Sequence, residues 1–293
     1  MLFRSFDLVD ATPNGLVEEV ESAAFKPVVD ACTLCDMCFM TKCPYVPPHE
    51  FNLDFPHLML RARAIEARQG KIAWTERQIT ETDRNGKLAG MAAPLANWAN
   101  DAKNTLTRPV LEAVTGVHRE AQLPKFHGKT FAVRARQNPP PVNAEGPARG
   151  RKAALYATCF VNYNNPGIGG ATQAVLARNG VETKVVYPRC CGMPQLEHGE
   201  IERVAATAKA VAAEFSSLID EGYDVVALVP SCALMLKFEW PLLLPDDEDV
   251  KRLSEASFDI TAAPGIKVPP GYRDHFKDRK STRLNSSHMS ESR

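Results

Sequence analysis

The spacing of apolar residues changes near residue 150, and the first half of the chain has helical spacing. Apolar residues recur among arginines from Phe55, and Gly70 is placed to end a helix there. A second helix is predicted over residues 75–83, with Asn85 and Gly86 as its breakers. Two further helices are predicted over residues 95–106 and 109–114.

After residue 150 the pattern alternates between short apolar runs and longer helical stretches. Strands are predicted at 153–158, 181–187 and 224–229, and helices at 169–178 and 200–221. Strands that alternate with helices pair in parallel through right-handed crossovers. This half of the chain is therefore predicted to be an α/β domain with a parallel sheet.

Composition narrows the class of protein. The 293 residues are 44% hydrophobic and 24% charged, with a formal net charge of zero. A balanced charge gives no basic footprint for nucleic acid, and no apolar stretch is long enough to span a membrane. Eight cysteines without an export signal favour metal or redox chemistry over disulfides, and they predict a cytoplasmic protein.

The two ends of the chain differ from the rest. Residues 1–5 and 278–293 resemble translated sequencing-library adapters, with a disordered Ser/Arg-rich tail as the alternative for the second segment. A stretch rich in proline and glycine at 138–151 reads as a stiff linker. We therefore expect a largely helical region over 6–137 and a second, separate domain over 152–277.

The first cysteine run has the spacing of an iron–sulfur ligand set. Cys32, Cys35, Cys38 and Cys43 follow the pattern C-x2-C-x2-C-x4-C, and Pro44 comes next. Two-residue gaps let the loop turn around the edges of a [4Fe–4S] cluster, and thiolates suit iron. Zinc and simple burial of the thiols are the alternatives, although zinc sites usually place a longer arm between two CxxC pairs.

The last cysteine of this run is set apart by its spacing. Ferredoxins use three residues before their fourth cysteine, whereas four precede Cys43. In two-cluster ferredoxins the fourth cysteine binds the other cluster. We therefore expect Cys43 to ligate a second cluster, whose other ligands belong to an upstream run that this chain lacks.

A second set of cysteines follows the predicted strands. Cys159 comes after the first strand, Cys190 and Cys191 after the second, and Cys232 after the third. Open α/β sheets bind their ligands at the carboxyl ends of parallel strands, so these thiols should converge. Buried thiols and a thiol–disulfide pair are the alternatives, and such a pair would involve Cys159 or Cys232 because adjacent cysteines seldom bond to each other.

The motifs CCG and PSC together resemble the CCG cysteine-rich domain of heterodisulfide-reductase-type proteins. The same domain occurs in the iron–sulfur subunits of glycolate oxidase and of anaerobic glycerol-3-phosphate dehydrogenase. The string CTLCDMCFMTKCPYVPPHEFNLDFPHLMLRARA is most similar to rubrerythrin-associated proteins of this group. The resemblance covers residues 6–258, and family members carry an upstream cysteine run and a second CCG domain.

The resemblance implies a function, ligands and partners. It implies an electron-transfer subunit of an oxidoreductase, which passes electrons between a ferredoxin-type [4Fe–4S] cluster and the CCG site. The CCG ligands would be Cys159, Cys190, Cys191 and Cys232, and Met235 stands where the family often has a further cysteine. Other redox subunits, such as a flavoprotein or a rubrerythrin-like protein, are the implied partners, and the location is cytoplasmic or peripheral to the membrane. A zinc-stabilised interaction module and a thiol–disulfide reductase are the alternative functions.

Overall fold

The computed structural model describes residues 2–35, 44–46 and 49–261. Its contacts divide the chain into two compact units: Met1–Ile72 with Pro194–Ile201, and Ala73–Met193 with Glu202–Arg293. Cys38 and Cys43 lie outside the described residues. No helix in the described ranges has the length and apolar content that a membrane-spanning helix requires.

The first unit is helical. It contains α1 (Leu2–Asp10), two 3₁₀ turns (Val17–Glu19 and Ser22–Phe25), α2 (Lys26–Asp30) and α3 (Phe55–Arg68). The predicted start and end of α3 are confirmed. The Asp54 side chain accepts a hydrogen bond from the His57 backbone N–H at 3.1 Å, and Gly70 has a φ of +72°, the left-handed conformation common just after a helix.

Arg63 of α3 ties the start of the first cysteine run to the helix. Its guanidinium donates to the carbonyl oxygens of Val29 at 2.7 Å and of Cys32, and on its other side to Glu197 at 2.7 Å. Arg63 thus satisfies backbone carbonyls, as the planar fork of arginine allows.

The second unit begins with helices and continues into the sheet. Its helices are α4 (Trp74–Thr80), α5 (Thr82–Met91), α6 (Ala93–Asn100), α7 (Arg108–Thr115), α8 (Phe131–Gln137), α9 (Pro166–Arg178), α11 (Ile201–Asp220), α12 (Pro230–Leu234), α13 (Trp240–Leu243) and α14 (Glu248–Ala256). Helix α10 (Met193–Glu197) crosses the boundary between the units.

The prediction that Asn85 and Gly86 end a helix is wrong. The break falls at Glu81, and α5 runs through both residues. Gly86 is buried against the Tyr163 ring, where an added Cβ would lie 2.4 Å from a ring carbon. This glycine therefore serves close packing, and the helix can tolerate its weak helix propensity.

Four parallel strands form the sheet, in the order β2-β1-β3-β4. They are β1 (Lys152–Tyr156), β2 (Glu182–Val186), β3 (Asp224–Ala227) and β4 (Ser257–Asp259). In register, Tyr156 lies opposite Val186 on one side and Ala227 on the other. The predicted parallel α/β sheet is confirmed, and β4 is an additional edge strand.

The sheet has a packed core on each face. Leu155 lies in a buried cluster with Phe131 of α8, Leu176 of α9 and Val226 of β3. The next residue, Tyr156, contacts the ring of Phe215 of α11 edge to face. Because successive side chains of a strand point to opposite faces, β1 is covered by helices on both sides.

The stretch 138–151, rich in proline and glycine, lies within the second unit. The Asn143 N–H donates to the Ala177 carbonyl at 2.8 Å, and the Ala148 N–H donates to the Asn179 carbonyl at 2.8 Å. The contacts divide the chain near residue 72, and the expected domain boundary at 138–151 stays a prediction.

Candidate functional site

Four cysteines of the second unit form a row of touching sulfur atoms. The sulfurs of Cys159 and Cys190 lie 3.6 Å apart, and those of Cys191 and Cys232 lie 3.3 Å apart. Cys190 and Cys191 are adjacent in sequence, and their side chains also interact. Three of the four are almost fully buried, with exposed fractions of 6% for Cys190, 1% for Cys191 and 5% for Cys232.

Topology brings these thiols together. Each cysteine-bearing loop follows a strand of one parallel sheet, and β1 lies between β2 and β3. Such loops leave the sheet at the same edge, so residues far apart in sequence meet there. The convergence expected from the sequence is observed, whereas the ligand roles of the four cysteines remain predictions.

The loop that carries Cys159 has an unusual backbone. Thr158 is fully buried and has a φ of +51°, which is rare for a β-branched residue. Its hydroxyl accepts a hydrogen bond from the Val161 N–H at 3.2 Å. A π-helical turn, Phe160–Asn164, follows at once. Strained residues and π turns concentrate at functional sites, where the surrounding structure holds them in place.

The loop of Cys190 and Cys191 is held from two sides. The Tyr156 hydroxyl donates to the Arg189 carbonyl at 2.7 Å, and the Cys190 N–H donates to a carboxylate oxygen of Asp83 at 2.8 Å. Gly192 follows with a φ of +84°. An added Cβ there would meet only Val204 methyl groups at 3.5 Å, so this glycine is needed for its backbone conformation.

Cys232 sits in the first turn of α12. Pro230 starts this helix, and the Cys232 N–H donates to the Val229 carbonyl at 3.0 Å. A second π-helical turn, Met235–Glu239, continues the segment. Two of the three cysteine loops therefore lead into π turns, and both position a cysteine at the same sheet edge.

The cysteines differ in their ionisation. Hydrogen bonds donated by Cys159, Cys191 and Thr82, with the Gly192 N–H, lower the pKa of Cys190 to about 3. Donation to Cys190 raises the pKa of Cys159, and burial adds to this effect. The pKa of Cys191 is raised by its hydrogen bonds to Cys190 and Cys232. The pKa of Cys190 is thus lowered, whereas the pKa values of its neighbours Cys159 and Cys191 are raised.

Two tyrosines next to the row stay protonated. Burial raises the pKa of Tyr156, and nearby cysteine charges raise it further. Burial also raises the pKa of Tyr187, and the charge of Asp83 adds to the rise. Both phenols therefore act as hydrogen-bond donors, Tyr156 to Arg189 and Tyr187 to Asp83.

The four thiols are the right kind of ligand for an iron–sulfur cluster, but their sulfur atoms lie closer together than the ligand sulfurs of such a cluster. Thiolates are the ligands of such clusters, whose cysteine sulfurs lie roughly 6 to 7 Å apart. The sulfurs here touch, and within the described ranges no three His, Cys, Asp or Glu side chains are grouped as ligands of a metal ion. A cluster at this site would therefore require the sulfurs to lie farther apart than the 3.3–3.6 Å observed.

Several residues of the site were not predicted from the sequence. They are Thr82 and Asp83 at the start of α5, Tyr156 at the end of β1 and Tyr187 directly after β2. The two tyrosines, which precede the cysteine loops of neighbouring strands, offered a signal. Nothing in the sequence points to Asp83, which is 107 positions from Cys190.

The first cysteine run is described in part. Cys32 is buried and Cys35 is exposed. Between them, Leu34 has a φ of +47°, so the chain turns sharply within the first two-residue gap. This turn agrees with a loop that wraps a compact group, and the arrangement around Cys38 and Cys43 lies outside the described residues.

Comparisons with known proteins agree with the cysteine pattern. Residues 153–237 match the family model described as CCG, cysteine-rich domain. The chain is 27% identical over 171 residues to an anaerobic glycerol-3-phosphate dehydrogenase subunit of Escherichia coli (strain K12), and the match covers 58% of this chain and 42% of that protein. The expected resemblance to a subunit of this dehydrogenase is confirmed.

A second group of relatives carries another name. Lactate utilization protein A of Bacillus pumilus (strain SAFR-032) is 32% identical over 117 residues, and that of Bacillus subtilis (strain 168) is 31% identical over 117 residues. Each match covers 38% of this chain and 46% of the relative. The chain thus spans less than half the length of these relatives. No solved structure is significantly similar to it.

Proposed function

We propose that this chain is an electron-transfer component of an oxidoreductase, with an iron–sulfur centre at the row of Cys159, Cys190, Cys191 and Cys232. The observation that supports this proposal is the meeting of four thiols at one sheet edge within the segment similar to CCG domains. The name of the dehydrogenase subunit among the relatives supports an oxidoreductase.

The residues around the row suit such a role. An iron–sulfur cluster supplies one-electron redox chemistry when it is bound. Burial of Cys190, Cys191 and Cys232 keeps water from the ligand sulfurs, and solvent exposure is one of the factors that set a cluster's potential. Tyr156 and Asp83 fix the loop of the adjacent pair, so that loop starts from a defined position.

The first run would hold the second redox group. In this proposal Cys32, Cys35 and Cys38 bind a [4Fe–4S] cluster, and Cys43 reaches a neighbouring one. Arg63 holds the backbone where the run begins, which gives Cys32 a fixed position. Electrons would pass between this cluster and the CCG site, and other redox subunits, a flavoprotein or a rubrerythrin-like protein, would exchange them. We place the protein in the cytoplasm or at the membrane periphery.

Anaerobic reconstitution with iron and sulfide tests the proposal. The wild-type chain should gain iron and sulfide in comparable amounts, with an EPR signal on reduction. Cys191→Ser should lose the signal of the CCG site. The control Ser231→Ala changes a neighbour of Cys232 without removing a thiol, and it should keep that signal. A colourless protein that takes up zinc and no iron would instead support a zinc-stabilised interaction module.

The sulfur contacts also favour a second function, thiol–disulfide exchange. Cys159 with Cys190, and Cys191 with Cys232, are the touching pairs. In such a reaction two thiols would give two electrons and two protons to a substrate disulfide, which would leave as two thiols. Peptide mapping after exposure of the metal-free chain to oxidised glutathione tests this function. Disulfides within both pairs, together with turnover of the oxidant, would support it, and alkylatable free thiols throughout would contradict it.

A further inference from the structure

The first turn of α5 lies against the row of cysteines. Thr82 and Asp83 begin this helix, and they precede the segment 153–237 that is similar to CCG domains. They belong nevertheless to the same compact unit as all four cysteines. The site therefore receives side chains from a part of the chain that the motif does not include.

Asp83 links two strand-end loops. One carboxylate oxygen accepts from the Tyr187 hydroxyl, and the other accepts from the Cys190 N–H at 2.8 Å. Tyr187 comes directly after β2, so Asp83 closes the two residues between Tyr187 and Cys190 into a held turn. Both bonds have a charged acceptor, which is the stronger class of hydrogen bond.

Thr82 faces the sulfurs themselves. Its hydroxyl oxygen is buried and makes no hydrogen bond. It lies near Cys159 and Cys190, because Thr82 lowers the pKa of both thiols. A buried hydroxyl without a partner is costly, and the sulfurs of these cysteines are the acceptors within its reach.

We propose that Thr82 and Asp83 are positioning residues of the redox site: Asp83 holds the Cys190 loop, and the Thr82 hydroxyl hydrogen-bonds to the ligand sulfur of Cys190. This inference deepens the proposed function and rests on it for the role of Thr82. Hydrogen bonds to cluster sulfurs stabilise the more negative reduced state, so Thr82 would raise the reduction potential.

Redox titration of the reconstituted chain tests both residues, because their variants should shift the midpoint potential of the CCG site in opposite directions. Thr82→Val removes the hydroxyl and keeps the shape of the side chain. It should lower the midpoint potential of the CCG site by about 59 mV, which is about a tenfold change in the equilibrium constant of a one-electron reduction. Thr82→Ser should restore the wild-type value. Asp83→Asn removes a negative charge and should shift the potential the opposite way. Thr115→Val, which removes a hydroxyl bonded to Leu111, is the control and should shift nothing.

The metal-free chain tests Asp83 without any cluster. Alkylation of Cys190, followed by mass spectrometry, should be about tenfold faster in Asp83→Ala because the loop loses its anchor. Asp83→Asn keeps an oxygen that accepts from the Cys190 N–H. Its alkylation rate should therefore lie between those of the wild-type chain and Asp83→Ala. The control Asp249→Asn removes another first-turn carboxylate, bonded to Ser216, and should leave the rate unchanged. If Asp83→Ala fails to fold, Tyr187→Phe takes the place of that variant in the experiment. It removes the hydroxyl that donates to Asp83, which is one of the two hydrogen bonds of the link.

The outcomes separate this inference from the proposed function. A wild-type chain that binds no iron overturns the proposed function and the role of Thr82, while the alkylation rates still decide the role of Asp83. A wild-type chain that binds iron, with unshifted potentials in Thr82→Val and Asp83→Asn, overturns the inference alone. Unchanged alkylation in both Asp83 variants overturns the positioning role.

Discussion

The sulfur atoms of Cys191 and Cys232 lie 3.3 Å apart, although 41 positions separate these residues in the chain. Since the two thiols share one site, their replacements should not be additive. Cys191→Ala and Cys232→Ala should each abolish the EPR signal of the CCG site in the reconstituted chain, and the double variant should lose nothing more. Cys35→Ser should keep that signal. A full signal in either single variant would remove that residue from the ligand set.

The first cysteine run should show a different division of roles. Cys32→Ser, Cys35→Ser and Cys38→Ser should each remove one and the same cluster signal after reconstitution. Cys43→Ser should weaken the other cluster, because the fourth cysteine of such runs reaches across. EPR of the four variants measures this. Crossed ligation is wrong if Cys43→Ser removes the signal that Cys35→Ser removes and leaves the other intact.

Arg63 should stabilise the first unit through its carbonyl partners. Arg63→Met keeps the length of the side chain and strands the carbonyls of Val29, Cys32 and Glu197, so it should lower the free energy of unfolding by about 2–3 kcal/mol. Arg61→Met, on the exposed side of the same helix, is the matched control and should stay within about 0.5 kcal/mol of wild type. Urea unfolding followed by circular dichroism measures both. Equal effects of the two substitutions would contradict the anchoring role.

Two adjacent glycines of α9 should respond in opposite directions to alanine. A Cβ at Gly169 would lie 2.6 Å from the Phe131 ring, so Gly169→Ala should destabilise the fold by about 1–3 kcal/mol. Gly170 has open space around it, and Gly170→Ala should stabilise the helix by about 0.5–1 kcal/mol. Thermal unfolding of the two variants compares them directly. A stabilised Gly169→Ala variant would show that α8 and α9 do not pack as described.

The stability of the first unit should depend on pH through Glu197. Burial raises the pKa of Glu197, and the charges of His198 and Arg63 only partly offset this effect. A carboxyl whose pKa is higher in the folded state destabilises the fold above that pKa, and the cost fades as pH falls through it. Glu197→Gln should therefore raise the melting temperature at pH 7 and lose this advantage at pH 3. Equal gains at both pH values would assign the effect to packing.

The spacing of apolar residues and the rules of parallel-sheet topology were enough to predict the sheet and the convergence of the cysteines. The run that became β1 is apolar, those that became β2 and β3 contain paired valines, and the carboxyl-end rule then placed Cys159, Cys190 and Cys232 at one edge. The strand β4 was missed because Ser257–Asp259 has three residues and one aromatic side chain, too few for a period. Helix α8 was not predicted because it is short and its arginines interrupt the apolar residues of its sequence.

Polar contacts between residues far apart in the chain could not be predicted from the sequence. Asp83 looks like an ordinary first-turn acid, and only the folded chain brings it to Cys190. Gly86 misled the prediction because a glycine that breaks a helix and one that receives the Tyr163 ring look identical in sequence. Local chemistry therefore predicted the elements and the cysteine row, whereas tertiary packing determined which neighbours surround that row.

The order of the strands has a consequence for biosynthesis. A ribosome releases Asp83 first, then Cys159, then the adjacent pair, and Cys232 last. The last cysteine follows β3, whose pairing with β1 brings it to the row. A nascent chain that ends before Cys232 holds three of the four thiols, one of them the anchored Cys190, with the place of the fourth still open. In the proposed iron–sulfur role, a cluster that needs all four thiols can therefore be inserted only after the second crossover, because Cys232 follows β3.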